Sequence, residues 1–146
     1  MTIRFSCLLL GGLVLAASSV WAQAASRKSL ETTLRAARWQ QRVLLVCAPT
    51  ATDAQLLRQR ALLAAARPGL TERDLLVREL LLPNLPAADR QHLHRLGLRS
   101  DDAFQVLLIG KDGGVKRRDN RPVKPETLFG TVDQMPMRRQ EMKGER

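Results

Sequence analysis

FQVLLIGKDGGVKRRDNRPVKPETLFGTVDQMPMRRQEM, residues 104–142, holds in one run a strand, a tight turn, a second strand, a helix and a polar tail. Residues 104–110 are almost wholly apolar, as a strand covered on both faces requires. Lys111, Asp112, Gly113 and Gly114 tolerate the positive φ of a tight hairpin, and residues 115–118 then run back as a short basic strand. Charge on that strand suits a sheet edge, where it discourages pairing with other chains. Pro125 is preset for the first turn of a helix in which Leu128, Phe129, Val132 and Met135 share one face, and Pro136 is expected to stop that helix.

Upstream, residues 42–48 (RVLLVCA) form a second continuous apolar run and read as a central strand. Before it, residues 26–39 predict a helix capped by Ser29, with Leu30, Leu34 and Ala37 on one side. After it, Thr52 and Gln55 have capping-box spacing, and Ala54, Leu57, Ala61 and Ala64 are expected to line the helix face that meets the sheet, with Gly69 just past its end. Residues 74–80 read as a further strand, and a helix between it and the first implies parallel pairing. Residues 87–96 form the next helix, started near Pro86 and stopped by Gly97. The order is helix, then β-α-β, then α, β-hairpin, α. This is the layout of a single α/β domain of thioredoxin-like type: a four-stranded mixed sheet flanked by helices, with the two apolar strands central and the basic one at an edge.

Residues 1–22 have the layout of a secretory signal peptide: Arg4, an apolar run, then small residues, with cleavage after Ala22 or Ala24. The domain is expected over residues 26–142, followed by a polar tail at 143–146, in a periplasmic or secreted protein with no transmembrane anchor after cleavage. The full chain carries 24 basic and 14 acidic residues, and losing Arg4 with the leader leaves a net charge of +9. Export makes an anionic envelope component or an acidic protein the expected partner, and an arginine-rich surface with no partner accounts for the same charge. Nucleic acid is not expected, since aromatic residues are too few to form stacking platforms.

G-K-D-G-G-V-K at residues 110–116, P-x-x-x-L-F at 125–129 and V-D-x-M-P-M-R-R-x-E-M at 132–142, with R-V-L-L-V-x-A-P at 42–49, resemble the bacterial family of unknown function called DUF 4174. That family is related to the peroxiredoxin-like P-DUDES domains of animal extracellular-matrix and sushi-repeat proteins. The resemblance covers nearly all of the mature chain and implies a thioredoxin-like fold in an exported protein. It supplies no catalytic residues.

Candidate chemistry is sparse. Ala51, Thr52, Asp53 and Ala54 stand where the C-x-x-C of a thioredoxin would, so dithiol exchange is excluded. Cys7 falls in the leader and Cys47 remains alone, unable to form an internal disulfide. Its setting in Val46-Cys47-Ala48-Pro49-Thr50 superficially resembles the V-C-P-T segment of peroxiredoxins. Leu44 and Gln40, however, occupy the places of the Thr or Ser and the Pro that precede the peroxidatic cysteine. Cys47 therefore reads as a small buried hydrophobe, with a one-cysteine peroxidase or reductase as the alternative. His92 and His94 are two apart on a helix and cannot jointly grip a metal; His92 is expected to be partly buried and His94 exposed. No cofactor or metal is expected. The reading is a redox-inactive binding or adaptor module. Its candidate site is the set of cations Lys111, Lys116, Arg138 and Arg139, which an anion or a partner would bring into use if they converge.

Overall fold

A computed structural model describes residues 29–144, so the expected leader and the expected domain start at residue 26 lie outside the described residues. Four strands make one sheet in the order β2-β1-β3-β4: β1 Arg42–Ala48, β2 Leu75–Leu81, β3 Gln105–Ile109 and β4 Val115–Asp119. β1 pairs in parallel with β2 and antiparallel with β3, and β3 pairs antiparallel with β4. The two continuous apolar runs are thus the two central strands, and every residue of both is buried. The basic strand β4 lies at an edge with alternating exposure.

Strand periodicity sorts β1 into two cores. Val43, Leu45 and Cys47 point into one cluster, where Leu30, Ala37, Leu93 and Leu98 meet them from α1 (Leu30–Ala37) and from α4 (Ala87–Leu96) and the turn after it. Leu44, Val46 and Ala48 point into the other, covered by α2 (Ala54–Ala65), α3 (Arg67–Glu72) and α5 (Pro125–Asp133). Ser29 caps α1 as expected, and Gly97 ends α4 at φ 100. In the hairpin between β3 and β4, Gly113 takes the positive φ, at 84°.

Several local expectations are corrected. The buried face of α2 is Leu56, Gln59 and Leu63; Ala54, Ala61 and Ala64 are exposed, and so is Leu57, with 49% of its surface accessible. The stripe with the larger apolar side chains wins the sheet. Gln59 is admitted because its amide is satisfied twice by Val123, accepting from N–H at 2.7 Å and donating to C=O at 3.1 Å. Asp53, rather than Thr52, caps α2, its carboxylate accepting from the N–H groups of Gln55 and Leu56. Gly69 does not terminate α2. It lies inside α3, where a Cβ would stand 2.6 Å from Phe129 Cε2, so its value is the close approach of that ring. Pro136 does not merely stop the preceding helix, which already ends at Asp133: it opens α6, Pro136–Gly144, so Lys143 and Gly144 of the expected tail are helical.

Candidate functional site

Two places follow from the sequence: the thiol at the end of β1 and the cations of the hairpin and α6. Cys47 has no exposed surface. Burial among apolar side chains pushes its thiol up to about 12, so the thiolate is suppressed at any ordinary pH. The start of α2, just beyond it, presents the exposed Ala51 and Thr52 and the capping carboxylate of Asp53. His94 is exposed as expected, held by Asp101 and the carbonyl of Leu98, while His92 is half-buried. Among the described residues no group of three or more His, Cys, Asp or Glu is arranged to hold a metal ion.

The cations behave differently from one another. Lys111 and Arg138 do come together, but around carboxylates. Lys111 Nζ donates to Asp74 Oδ2 and Glu141 Oε1, both at 2.8 Å. Arg138 Nη2 donates to Glu72 Oε1 at 2.7 Å and its guanidinium also approaches Asp133 and Glu141. Two further cations complete the group. Arg42, fully buried, reaches both oxygens of Glu141 at 3.2 Å and the carbonyl of Arg73 at 2.9 Å. Arg73 grips Asp133 through two bonds of 2.9 and 2.8 Å and lies 4.5 Å over the ring of Phe129.

Arg42, Arg73, Lys111 and Arg138 are thus matched by Glu72, Asp74, Asp133 and Glu141, a cluster with no net charge. It ties the start of β1, the end of α3, the hairpin, and α5 and α6 into one clamp. Burial works against the charge of Glu141, but the hydrogen bonds from Lys111 and Arg42 outweigh it and hold the carboxyl below its ordinary 4.5. Burial likewise works against the charge of Lys111, and its bonds to Asp74 and Glu141 outweigh it and raise the ammonium above 10.5. Arg42 and its acids were missed by the sequence reading. Arg42 and Glu141 are 99 residues apart, and no local pattern announces such a pairing.

Lys116 and Arg139 stand outside the clamp. Lys116 Nζ is paired with Asp112 at 2.6 Å on the exposed hairpin, and Arg139 is exposed on α6. The four expected cations therefore do not converge into one anion site. Lys111 and Lys116 do share a cavity of about 280 Å³ with Trp39, Met135, Pro136 and Met137. Trp39 links α1 to β1 in the left-handed region, at φ 67, held there by its N–H donating to Lys111 C=O at 2.7 Å. Trp39 is 57% exposed, with the Arg38 guanidinium 5.3 Å from the ring centroid. A strained tryptophan presented beside two half-buried methionines makes an apolar, adaptable pocket with ammonium groups on its wall.

This geometry sits on a widely used fold. A reduced 2-Cys peroxiredoxin from Plasmodium vivax superposes with a TM-score of 0.52 over 76% of this chain and 72% of its own, at 16% sequence identity, which speaks for the fold alone. No curated protein sequence matches the chain. The sequence profile of a domain of unknown function, DUF4174, matches residues 33–141, from α1 to α6, and takes in the strands, the clamp and the cavity. The chain belongs to the DUF4174 family.

Proposed function

We propose that this protein is an exported, thioredoxin-like domain that carries out no thiol chemistry and serves as a binding module, with the Trp39 cavity as its contact point. The observation that carries the reading is the complete burial of Cys47, whose thiol is pushed up to about 12. Catalysis by a lone cysteine needs an accessible thiolate at working pH, and a peroxidase or reductase role for Cys47 lacks both conditions. What the surface offers instead is an exposed tryptophan beside Met135 and Met137. Aromatic and methionine side chains of this kind accept a partner's apolar side chain with little rearrangement. Lys116 on the cavity wall is paired with Asp112, but Arg38, over Trp39 and without an ion pair among the described residues, favours acidic residues flanking that side chain. An acidic protein or other anionic component of the cell envelope is the partner class that fits.

Alkylation of Cys47 by iodoacetamide across pH 6 to 10, native against denatured, tests the chemical half of the proposal. Labelling is expected only after denaturation. Rapid native labelling with a midpoint at or below about 8.5, the value of a free thiol, would return Cys47 to the list of reactive groups and defeat the reading.

A further inference from the structure

We infer that the opposite end of the sheet carries an oxyanion-binding site built from Arg99 and Arg118, which takes a small multivalent ligand bearing carboxylate or phosphoryl groups. The two arginines line a cavity of about 380 Å³ between the loop that precedes β3 and the end of β4. Neutral groups place the side chain of Arg118 and the backbone of Arg99. Arg118 Nε and Nη2 both donate to the C=O of Leu96, at 3.3 and 3.1 Å, and the guanidinium lies so close to Gly97 that a Cβ there would meet Arg118 Nε at 2.4 Å. The loop bearing Arg99 is fixed by Gln105, a buried residue: its Oε1 accepts from Arg99 N–H at 3.0 Å and its Nε2 donates to Ser100 C=O at 3.1 Å.

Neither arginine has an ion-pair partner among the described residues. The one carboxylate on the cavity wall, Asp119, is held by Arg117 through bonds of 2.7 and 2.8 Å and so does not neutralise them. Two arginines thus border one cavity with their charge unmatched, the guanidinium of Arg118 fixed on Leu96 and that of Arg99 carried on a backbone fixed by Gln105. Guanidinium forks suit the paired oxygens of carboxylates and phosphates, and an anion between them relieves the repulsion of two like charges. A neighbouring cavity lined by Arg58 and Arg121 adds cations to the same end, so a ligand with more than one anionic group gains most.

Calorimetric titration of the purified chain with citrate and, separately, inorganic phosphate at low ionic strength tests the inference and separates carboxylate from phosphoryl recognition. Saturable one-to-one binding of at least one of them is expected. Arg99→Ala should weaken it about tenfold, the effect of losing one charged hydrogen bond, and Arg139→Ala at the other end of the sheet should leave it unchanged. Because Arg118 also secures the end of α4, Arg118→Lys accompanies Arg118→Ala: it keeps the charge and loses the fork, and should still weaken binding. Absence of saturable binding to either anion would overturn the inference. So would equal weakening by Arg99→Ala and Arg139→Ala, the mark of diffuse attraction to a basic protein.

Discussion

The two ends of the sheet hold similar numbers of arginines and lysines and use them in opposite ways. Where β1 begins, Arg42, Arg73, Lys111 and Arg138 are matched by Glu72, Asp74, Asp133 and Glu141, and the guanidiniums of Arg42 and Arg138 are almost fully buried. Where β1 ends, Arg99 and Arg118 border one cavity and Arg58 and Arg121 the next, with no ion pair among the described residues. A net charge of +10 is therefore not a uniform property of the surface. At the first end the cations are structural, and their desolvation is offset by the carboxylates around them, although Arg42 Nε is buried without a hydrogen-bond partner among the described residues. At the second they are available to a ligand.

The comparison breaks if the clamp proves dispensable. Glu141 contacts three of its cations, so Glu141→Gln removes the negative charge that Arg42, Lys111 and Arg138 share and turns one of its acceptor oxygens into an amide donor facing them. A loss of about 3 kcal/mol is expected, as for removal of one member of a buried ion pair, read from the shift of the urea midpoint. A loss no larger than that of an exposed substitution such as Arg139→Ala would mean that the cluster is solvated and that the two ends do not differ.

A steric prediction at the same end is smaller. Gly69→Ala places a methyl group 2.6 Å from Phe129 Cε2, beneath the arginine that stacks on that ring. Overpacking of this kind costs about 2 kcal/mol, and the thermal midpoint should fall accordingly. An unchanged midpoint would show that Phe129 and Arg73 move aside freely and that the clamp is loose there.

The pH dependence sharpens the contrast further. Glu141 is held below 4.5 in the folded state, so its contribution is present above the unfolded value and is lost as pH falls through the folded one. Lys111 is raised above 10.5, so its contribution is present below that value and is lost as pH rises through the folded one. The stability gap between the wild type and Glu141→Gln should therefore be constant from neutral pH down to about 5 and close progressively below 4.5. A gap that persists undiminished at pH 3 would show that the glutamine variant fails for steric reasons and not for lost charge.

How legible all this was differs by element. β1 and β3 were readable because a central strand buried on both faces leaves an uninterrupted apolar run, and the burial of Cys47 came with that run. The face of α2 was misread because two stripes compete on one helix. The correct one includes Gln59, whose suitability depends on Val123 folding back from 64 residues away. α3 was invisible: six residues containing Pro68 and Gly69 carry no helical signal, and the helix exists because Leu70 anchors it and Phe129 packs over the glycine. The site was half legible. Lys111 and Lys116 were found and do border a cavity, but an ion pair gives no periodic mark in sequence, so the acids that occupy Lys111 and Arg138 were not foreseen.

The smallest effect locates the border of the clamp. Lys116 lies on the hairpin next to Lys111 and lines the same cavity, yet its partner Asp112 also accepts from Gly114 N–H at 3.0 Å. The turn therefore keeps a hydrogen bond of its own when the ammonium is removed. The bond from Lys116 is the main reason the Asp112 carboxyl titrates low, but more than a third of each side chain is in water or nearly so, and solvent screens the attraction. Lys116→Ala is expected to shift the urea midpoint by about 0.5 kcal/mol or less. Trp39 fluorescence should meanwhile report an altered cavity, because the indole is exposed beside the missing side chain. A loss comparable to that of Glu141→Gln would enrol Lys116 in the clamp and move its border out to the hairpin tip. The Trp39 cavity would then be part of the structural end of the sheet, with little freedom left to receive a partner.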